Sequence, residues 1–165
     1  MIFSATKITK KTLKSKIYLL FIKKYIQMRR DWIYAGIFLD KSTQDNLLGK
    51  LSKFIPDDWK TYCHHETLIY NDGSPEAETF FQKVIIPLDK EAVDIDVIGI
   101  GISDRAIALW VDATIKPLVN KVAHITVAVA PGAKPVESNY IKKWKRLKTP
   151  FKIKGNIGWI PKKNA

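Results

Sequence analysis

Two of the three histidines in this sequence are followed by threonine two positions later. The first pattern is His65-Glu66-Thr67, and the second, further along the chain, is His124-Ile125-Thr126. Both patterns begin apolar runs that predict β-strands. Because residues i and i+2 of a strand point to the same face, each pattern predicts an imidazole and a hydroxyl side by side. Two such strands facing each other would surround one cleft with groups suited to general acid–base catalysis on a phosphodiester.

The alternative is that each histidine is an inert, half-buried strand residue. One pattern alone favours that interpretation, but two patterns in two strands favour a shared site. A neutral imidazole can take a proton from water while an imidazolium protonates a leaving ribose oxygen, because histidine has an ordinary pKa near 6.5. The threonine hydroxyls can donate to the non-bridging phosphate oxygens. We predict four catalytic residues, without assigning acid or base: His65, Thr67, His124 and Thr126.

The two motifs resemble the paired histidine motifs of the 2H phosphoesterases. Further similarity, to an RNA-repair-associated branch of that superfamily, lies in residues 59–70, 99–111 and 120–144, and the resemblance covers roughly residues 32–160. The family has an apolar residue between histidine and threonine. Ile125 fits this pattern and Glu66 does not. Glu66 would point away from His65, to the opposite sheet face, so the departure need not affect the chemistry.

The resemblance implies an α+β domain of two lobes, with antiparallel sheets related by pseudo-twofold symmetry around a central cleft. A faint repeat agrees with it: a strand, a helix and a motif strand over residues 33–70, and a strand, a helical link and a motif strand over residues 106–129. The implied activity is metal-independent hydrolysis of a 2′,3′-cyclic phosphate, or a similar diester, at RNA ends or in small cyclic nucleotides. Two alternatives stay open: a non-catalytic nucleic-acid-binding module, and a phosphodiesterase that degrades cyclic oligonucleotide signals.

Three further residues are candidates for substrate binding. Tyr70 ends the first motif strand, whereas Lys134 and Ser138 follow the second, in a loop and at the start of a predicted helix. A helix N-terminus with a nearby ammonium group favours phosphate. The alternative is an ordinary strand-end residue, a solvated loop lysine and a capping serine.

The predicted helix over residues 138–147 is strongly basic around Trp144. Basic residues interleaved with an aromatic ring are typical of RNA binding. A solvated helix face with Trp144 docked in the core explains the pattern equally well. The residues that would contact RNA are Lys142, Lys143, Lys145 and Arg146.

Charge is divided unevenly along the 165 residues. Residues 1–30 and residues 140–165 each hold nine basic and no acidic residues, whereas residues 31–139 hold ten basic and sixteen acidic ones, so the net charge of +12 lies at the two ends. We predict a basic extension at residues 1–27 outside a single domain at residues 28–165. The alternative for this extension is a membrane or nucleic-acid-binding arm. Its six-residue apolar run is too short to span a membrane.

The single cysteine, Cys63, cannot form an internal disulfide, which is typical of a reducing compartment. We therefore expect a cytoplasmic protein, and we expect it to act as a monomer. The histidines and the cysteine lack the spacing of a metal site, so no metal and no cofactor are predicted.

Apolar periodicity and turn residues predict the remaining elements. The predicted helices cover residues 40–54, 75–83 and 138–147, and the predicted strands cover residues 32–39, 60–70, 93–102, 106–111, 124–129 and 151–160.

Overall fold

The computed structural model describes residues 31–162, and the predicted extension at residues 1–27 lies outside the described residues. Two α-helices and seven strands form within the described range. The helices are α1 (Lys41–Leu51) and α2 (Pro75–Phe80), and the strands are β1 (Trp32–Phe38), β2 (Lys60–Thr61), β3 (His65–Tyr70), β4 (Ala92–Ile102), β5 (Ala106–Ala113), β6 (His124–Val129) and β7 (Trp144–Pro161).

Six strands form a closed antiparallel ring in the order β3, β1, β7, β4, β5 and β6, with β6 pairing back to β3. The short strand β2 extends the ring by pairing with β6. The protein is therefore a small α+β domain built on an antiparallel strand barrel. The division into two lobes with pseudo-twofold symmetry stays a prediction.

Alternation along the strands places the core. In β4 the side chains of Ile95 and Val97 are fully buried while the aspartates beside them are more exposed, as expected for a strand with one apolar face. The ring of Trp32 stacks on that of Phe81, with centroids 4.3 Å apart. Within residues 31–162, no helix is both long enough and apolar enough to cross a membrane.

The first two predicted helices are confirmed. Asp40 caps α1, its carboxylate accepting a hydrogen bond of 2.7 Å from the backbone N–H of Thr43, as an N-cap residue does. A short 3₁₀ turn, Ser52–Phe54, continues the helix. Ser74 caps α2 in the same way, and a π-helical turn, Phe81–Ile85, follows it.

The prediction of one unbroken strand over residues 60–70 is wrong. The strand is interrupted at Cys63, a buried residue with the positive φ of 69° that non-glycine residues seldom adopt. The backbone N–H groups of Tyr62 and Cys63 still donate to the carbonyls of Val127 and Thr126 on β6, and the register shifts between Cys63 and Glu66, which pairs with Ile125. This interruption re-aims the residues just before the first motif.

The prediction of a basic helix over residues 138–147 is also wrong. A 3₁₀ helix, Pro135–Tyr140, takes its place, and β7 begins at Trp144. Pairing with β4 overrides the local preference for a helix, because the glycines of β4 leave room for this part of β7. A Cβ built on Gly101 would come within 2.6 Å of the Trp144 ring, so only glycine admits the ring there.

The predicted closing strand over residues 151–160 is confirmed but forms only part of β7. Pro150 lies inside the long strand. The register explains how the strand admits a proline. Phe151 pairs with Val97 and Arg146 with Gly99, so residues 147–150 bulge out of the ladder, where the missing N–H of proline costs no ladder hydrogen bond.

Candidate active site

One cleft of about 310 Å³ brings the two histidine–threonine motifs together. Tyr70, a candidate for substrate binding, also lines it. The remaining lining residues were not predicted from the sequence: Tyr34, Tyr62, His64, Asn120, Pro135, Val136 and Asn139. The four predicted catalytic side chains thus share one concave surface, while their catalytic role stays a prediction.

The two motif strands meet at their middle residues. Glu66 of β3 pairs with Ile125 of β6 in an antiparallel register. The motif side chains on either side of this pair, His65 and Thr67 on β3 and His124 and Thr126 on β6, all line the cleft. The two motifs therefore meet around one contact between their strands.

A β-bulge follows each motif threonine. On β3, Ile69 pairs with Ala35 while Thr67 pairs with Gly36, which leaves Leu68 as the extra residue. A bulge reverses the alternation of faces. Tyr70 therefore joins Thr67 in the cleft, although three positions separate them.

The matching bulge lies on β6. Ala128 pairs with Ile107 and Thr126 with Ala108, so Val127 is the extra residue. In both motif strands the extra residue thus comes directly after the threonine.

His65 is held among aromatic rings of β1. Its ring stacks on that of Tyr34 at 4.9 Å and lies 5.3 Å from that of Phe38. Burial lowers the pKa of His65 to about 4, and the neighbouring His64 and His124 add to this effect. His65 is therefore neutral at pH 7, the form that can accept a proton.

His124 is held by its own backbone. Its Nδ1 lies 2.8 Å from the carbonyl oxygen of Val122, which can only accept, so Nδ1 carries a proton and Nε2 is left for the cleft. Burial lowers the pKa of His124, and the hydrogen bond to Val122 opposes that shift. This bond stabilises the imidazolium form, because a protonated ring is the stronger donor.

The two motif hydroxyls differ in their partners. Thr126 donates a hydrogen bond of 2.9 Å from Oγ1 to Oγ of Ser138. Ser138 is fully buried and does not line the cleft. Within residues 31–162, the Thr67 hydroxyl has no such partner. Thr67 is thus free to donate to a ligand, whereas Ser138 orients Thr126 and does not reach a substrate in the cleft.

The helix that was expected to support a phosphate anchor after the second motif does not form. The anchor required a helix beginning at Ser138, and the backbone there is the end of a 3₁₀ helix. Lys134 precedes that 3₁₀ helix, is exposed, and is not among the residues lining the cleft. The prediction was wrong about the helix because Pro135 starts a turn three residues earlier.

His64 also lines the cleft, although adjacent residues of a regular strand point to opposite faces. The backbone N–H of Cys63 donates to the carbonyl of Thr126 at 2.8 Å, and Glu66 pairs with Ile125. The three-residue advance from Cys63 to Glu66 on one strand therefore corresponds to the one-residue advance from Thr126 to Ile125 on the other. The two extra residues, His64 and His65, break the alternation of a regular strand.

Glu66 lies on the other side of β3, as its position between His65 and Thr67 indicates. Its side chain is fully buried, and neither carboxylate oxygen has a hydrogen-bond partner within residues 31–162. Burial raises the pKa of Glu66 to about 8, with Lys116 and Asp112 acting in opposite directions. A neutral carboxylic acid therefore lies behind the cleft, between the two residues that line it.

Histidines carry all of the basic chemistry of the cleft, because no lysine or arginine is among its lining residues within the described range. Cys63 lies behind it as a buried thiol, and burial raises its pKa to about 12. A thiol with so high a pKa is protonated and unreactive. Within residues 31–162, His, Cys, Asp and Glu side chains do not gather in threes as a metal-ligand set.

One unpredicted lining residue had a usable sequence signal. Tyr34 and Phe38 lie four apart in the first predicted strand, so they share a face, and both rings contact His65. Only the pairing of β1 with β3 turns that shared face toward the cleft. Asn120 and Asn139 lie in irregular segments whose position depends on tertiary packing, and no pattern in the sequence marks them.

Three comparisons with known proteins place the chain. The sequence model described as "Fungal tRNA ligase phosphodiesterase domain" matches residues 49–158. A solved structure titled "Crystal Structure of Fungal RNA Kinase" is similar in fold, with a TM-score of 0.59 and 18% sequence identity. That match covers 81% of this chain and 46% of the other, so the present chain spans less than half the length of that protein. No protein with a curated description matches. Because the matched segment covers most of the chain, the protein belongs to the fungal tRNA ligase phosphodiesterase domain family, a family of 2H phosphoesterases.

Proposed function

We propose that this protein is a metal-independent phosphodiesterase that opens the 2′,3′-cyclic phosphate of an RNA end or a small nucleotide. The observation that supports it most is the placing of both histidine–threonine pairs in one cleft. Family membership supports a phosphodiesterase of the RNA-processing kind. A cyclic phosphate needs a base, an acid and donors for the phosphoryl oxygens, and these four side chains can supply all three.

In the proposed reaction, His65 is the general base and His124 the general acid. His65 is neutral at pH 7 because burial lowers its pKa to about 4, so it can take a proton from water as the water oxygen bonds to phosphorus. The bond from phosphorus to one ribose oxygen breaks, and the imidazolium of His124 protonates that oxygen. The product is a phosphate monoester, and both histidines return to their starting forms after proton exchange with solvent.

Two features support the acid role proposed for His124. Its Nδ1–H donates to the carbonyl of Val122 at 2.8 Å, a bond that favours the charged ring. An anionic phosphodiester bound in the cleft favours that charge further, because opposite charges at close range raise the pKa of a base.

The threonines are proposed to donate to the two non-bridging oxygens, where charge develops in the transition state. Thr67 has a free hydroxyl, and Thr126 can rotate its hydroxyl from Ser138 to the phosphate. Tyr70 and Tyr34 would hold the nucleoside between the aromatic walls of the cleft.

The two-lobed symmetry implied by the resemblance is supported by the bulges. β1 pairs with β3 as β5 pairs with β6, with one extra residue after the threonine in each motif strand. The residues opposite the two histidines are also both aromatic, Phe38 for His65 and Trp110 for His124. We propose that the strand pairs β1–β3 and β5–β6 are two repeats of one strand pattern, and that the motif-bearing strands of the two repeats lie together at the cleft.

Contact with RNA through the basic residues around Trp144 stays a prediction, but the helix on which it was predicted is replaced by a strand. Lys145 and Arg146 lie next to each other on a strand and therefore point to opposite sides. The guanidinium of Arg146 lies 4.7 Å from the centroid of the Trp110 ring. A single basic helix face, formed together with Lys142 and Lys143, does not exist here.

The proposal is tested with a substrate panel in the presence of EDTA. The panel holds nucleoside 2′,3′-cyclic phosphates, RNA with cyclic-phosphate ends, 2′–5′ oligomers and cyclic dinucleotides. We expect turnover of the first two classes. Turnover of cyclic dinucleotides alone would point to the degradation of a signal, and tight RNA binding without turnover of any member would point to a binding module.

A further inference from the structure

A second cavity, of about 400 Å³, adjoins the cleft. The two share three lining residues, Asn120, His124 and Asn139, so His124 forms part of the wall between them. Trp144 lines the second cavity only, and its indole N–H is already used, donating to the carbonyl of Ile141 at 3.0 Å. The volume lies within the usual range for a small-molecule site.

The charge of this cavity is positive. Lys121 and Lys142 line it, both are exposed, and neither takes part in an ion pair within residues 31–162. No aspartate or glutamate is among the lining residues of the described range, and Glu137 nearby in sequence pairs with Arg105 at 3.1 Å. Two free ammonium groups around a concave surface favour an anion, and the adjoining cleft has no lysine or arginine to compete for it.

We infer that the second cavity binds the phosphate on the 5′ carbon of the same nucleotide whose cyclic phosphate lies in the cleft. This inference rests on the proposed function. A 2′,3′-cyclic phosphate closes on the terminal ribose, so the 5′-phosphate is the next anion along the strand. Lys121 and Lys142 bind this anion, and the Trp144 ring supplies an apolar wall beside it.

A specificity follows from this second anion site. A nucleoside 2′,3′-cyclic phosphate fills only the cleft, whereas an RNA end, or a nucleotide that carries a 5′-phosphate, fills the cleft and the cavity together. The enzyme is therefore selective for cyclic phosphates at strand ends over free cyclic mononucleotides. One additional charge-assisted hydrogen bond to the 5′-phosphate, at a partly exposed site, corresponds to about a tenfold preference for the substrate that carries this phosphate.

The test compares uridine 2′,3′-cyclic phosphate with the same compound carrying a 5′-phosphate. We expect kcat/KM to be about tenfold higher for the 5′-phosphorylated substrate at low salt, with an advantage that shrinks as salt is added. Lys121→Ala and Lys142→Ala together should abolish that advantage. Lys143→Ala removes the same charge next to Lys142 but outside the cavity, and it should keep the advantage.

A wild-type enzyme that hydrolyses both substrates equally would overturn the inference while leaving the proposed function intact. The same holds if the advantage survives in the Lys121→Ala/Lys142→Ala variant. If neither substrate is turned over, the proposed function fails, and a binding experiment still tests the anion site. Uridine 5′-monophosphate, titrated in an NMR experiment, should shift the indole N–H of Trp144 in the wild type and not in the double variant. Equal shifts in both proteins, or none in either, would reject the site.

Discussion

Glu66 of β3 pairs with Ile125 of β6, and each of these residues stands between the histidine and the threonine of its motif. The two motifs are therefore related through their middle residues. One pair of this kind fixes the positions of His65 and His124 in the cleft at once, because neither strand can slip without turning its motif to the other face. The side chains of the middle residues point away from the cleft, where both are fully buried.

The neutral acid behind the cleft makes the stability of the fold sensitive to pH. The pKa of Glu66 is raised from 4.5 to about 8, so its contribution to stability is fully present below pH 4.5 and is lost as the pH rises through 8. Glu66→Gln keeps the neutral shape at every pH. We expect urea unfolding to show the variant gaining about 2 to 4 kcal/mol over the wild type between pH 5 and pH 8.5.

The control for this measurement is Glu76→Gln, which changes an exposed carboxylate at the start of α2. Its difference from the wild type gives the effect of the same substitution at a water-exposed position, with which the Glu66→Gln result is compared. If the Glu66→Gln and wild-type curves run parallel, folding does not raise the pKa of Glu66, and the account of a neutral acid behind the cleft is wrong.

A glycine on β1 makes the close approach to the first motif strand possible. A Cβ on Gly36 would come within 2.3 Å of the backbone oxygen of Glu66. Gly36→Ala must therefore push β1 away from β3, and we expect a loss of stability of about 2 kcal/mol or more. Because Gly36 pairs with Thr67, kcat/KM should fall as well. Thermal melts and activity assays measure the two effects.

Gly49, in α1, provides the matched substitution. Nothing lies within 4 Å of a Cβ built there, and alanine is favoured over glycine inside a helix by about 0.5 to 1 kcal/mol. Gly49→Ala should therefore raise the melting temperature with activity unchanged. Equal effects of the two glycine substitutions would show that the contact between Gly36 and Glu66 does not constrain the sheet.

His64→Ala should impair the enzyme, because the interruption at Cys63 brings His64 into the cleft beside His65. With His64 removed, one of the charges that lower the pKa of His65 is lost, so the acid limb of the pH–rate profile should move to higher pH. The effect on the rate should stay within about tenfold, well below that of His65→Ala. An unchanged profile would place the His64 ring outside the reach of the substrate and of His65.

Much of the site could be predicted from the sequence, since the spacing of two in each motif determines which side chains share a face. His124 and Thr126 lie in a strand with the bounds expected from the apolar run. The direction of the His64 side chain could not be predicted, because it depends on a left-handed backbone conformation at Cys63. That conformation is typical of glycine or asparagine and is not expected of cysteine. The segment around Trp144 could not be assigned either. Its many lysines favour a helix locally, and it becomes a strand only because glycines of β4 accept it.

The motif hydroxyls are tested by Thr67→Val and Thr126→Val, which keep the β-branched shape and remove the donor. Each should cost about 10- to 1000-fold in kcat, with little effect on folding for Thr67, whose hydroxyl has no protein partner within residues 31–162. Ser138→Ala should cost less than Thr126→Val, because Ser138 acts only by orienting Thr126. Wild-type turnover in both valine variants would reduce the threonines to ordinary strand residues.

The acid–base pair has a distinctive pH dependence. Burial lowers the pKa of His65 to about 4 and that of His124 below its ordinary 6.5. The acid of the free enzyme is therefore mostly charged only below pH 6.5, and its base is mostly neutral only above about pH 4. We expect a bell-shaped profile of kcat/KM with its maximum on the acidic side of neutral.

The most direct measurement is kcat/KM against pH, in EDTA, for a 2′,3′-cyclic nucleotide with the wild type, His65→Ala, His124→Ala and the double variant. Each single variant should lose about 100-fold or more, His65→Ala together with the acid limb and His124→Ala together with the alkaline limb. The double variant should be little worse than either, because residues that act as a unit are not additive. Full activity in either single variant, or activity that EDTA abolishes and a divalent metal restores, would contradict the two-histidine mechanism.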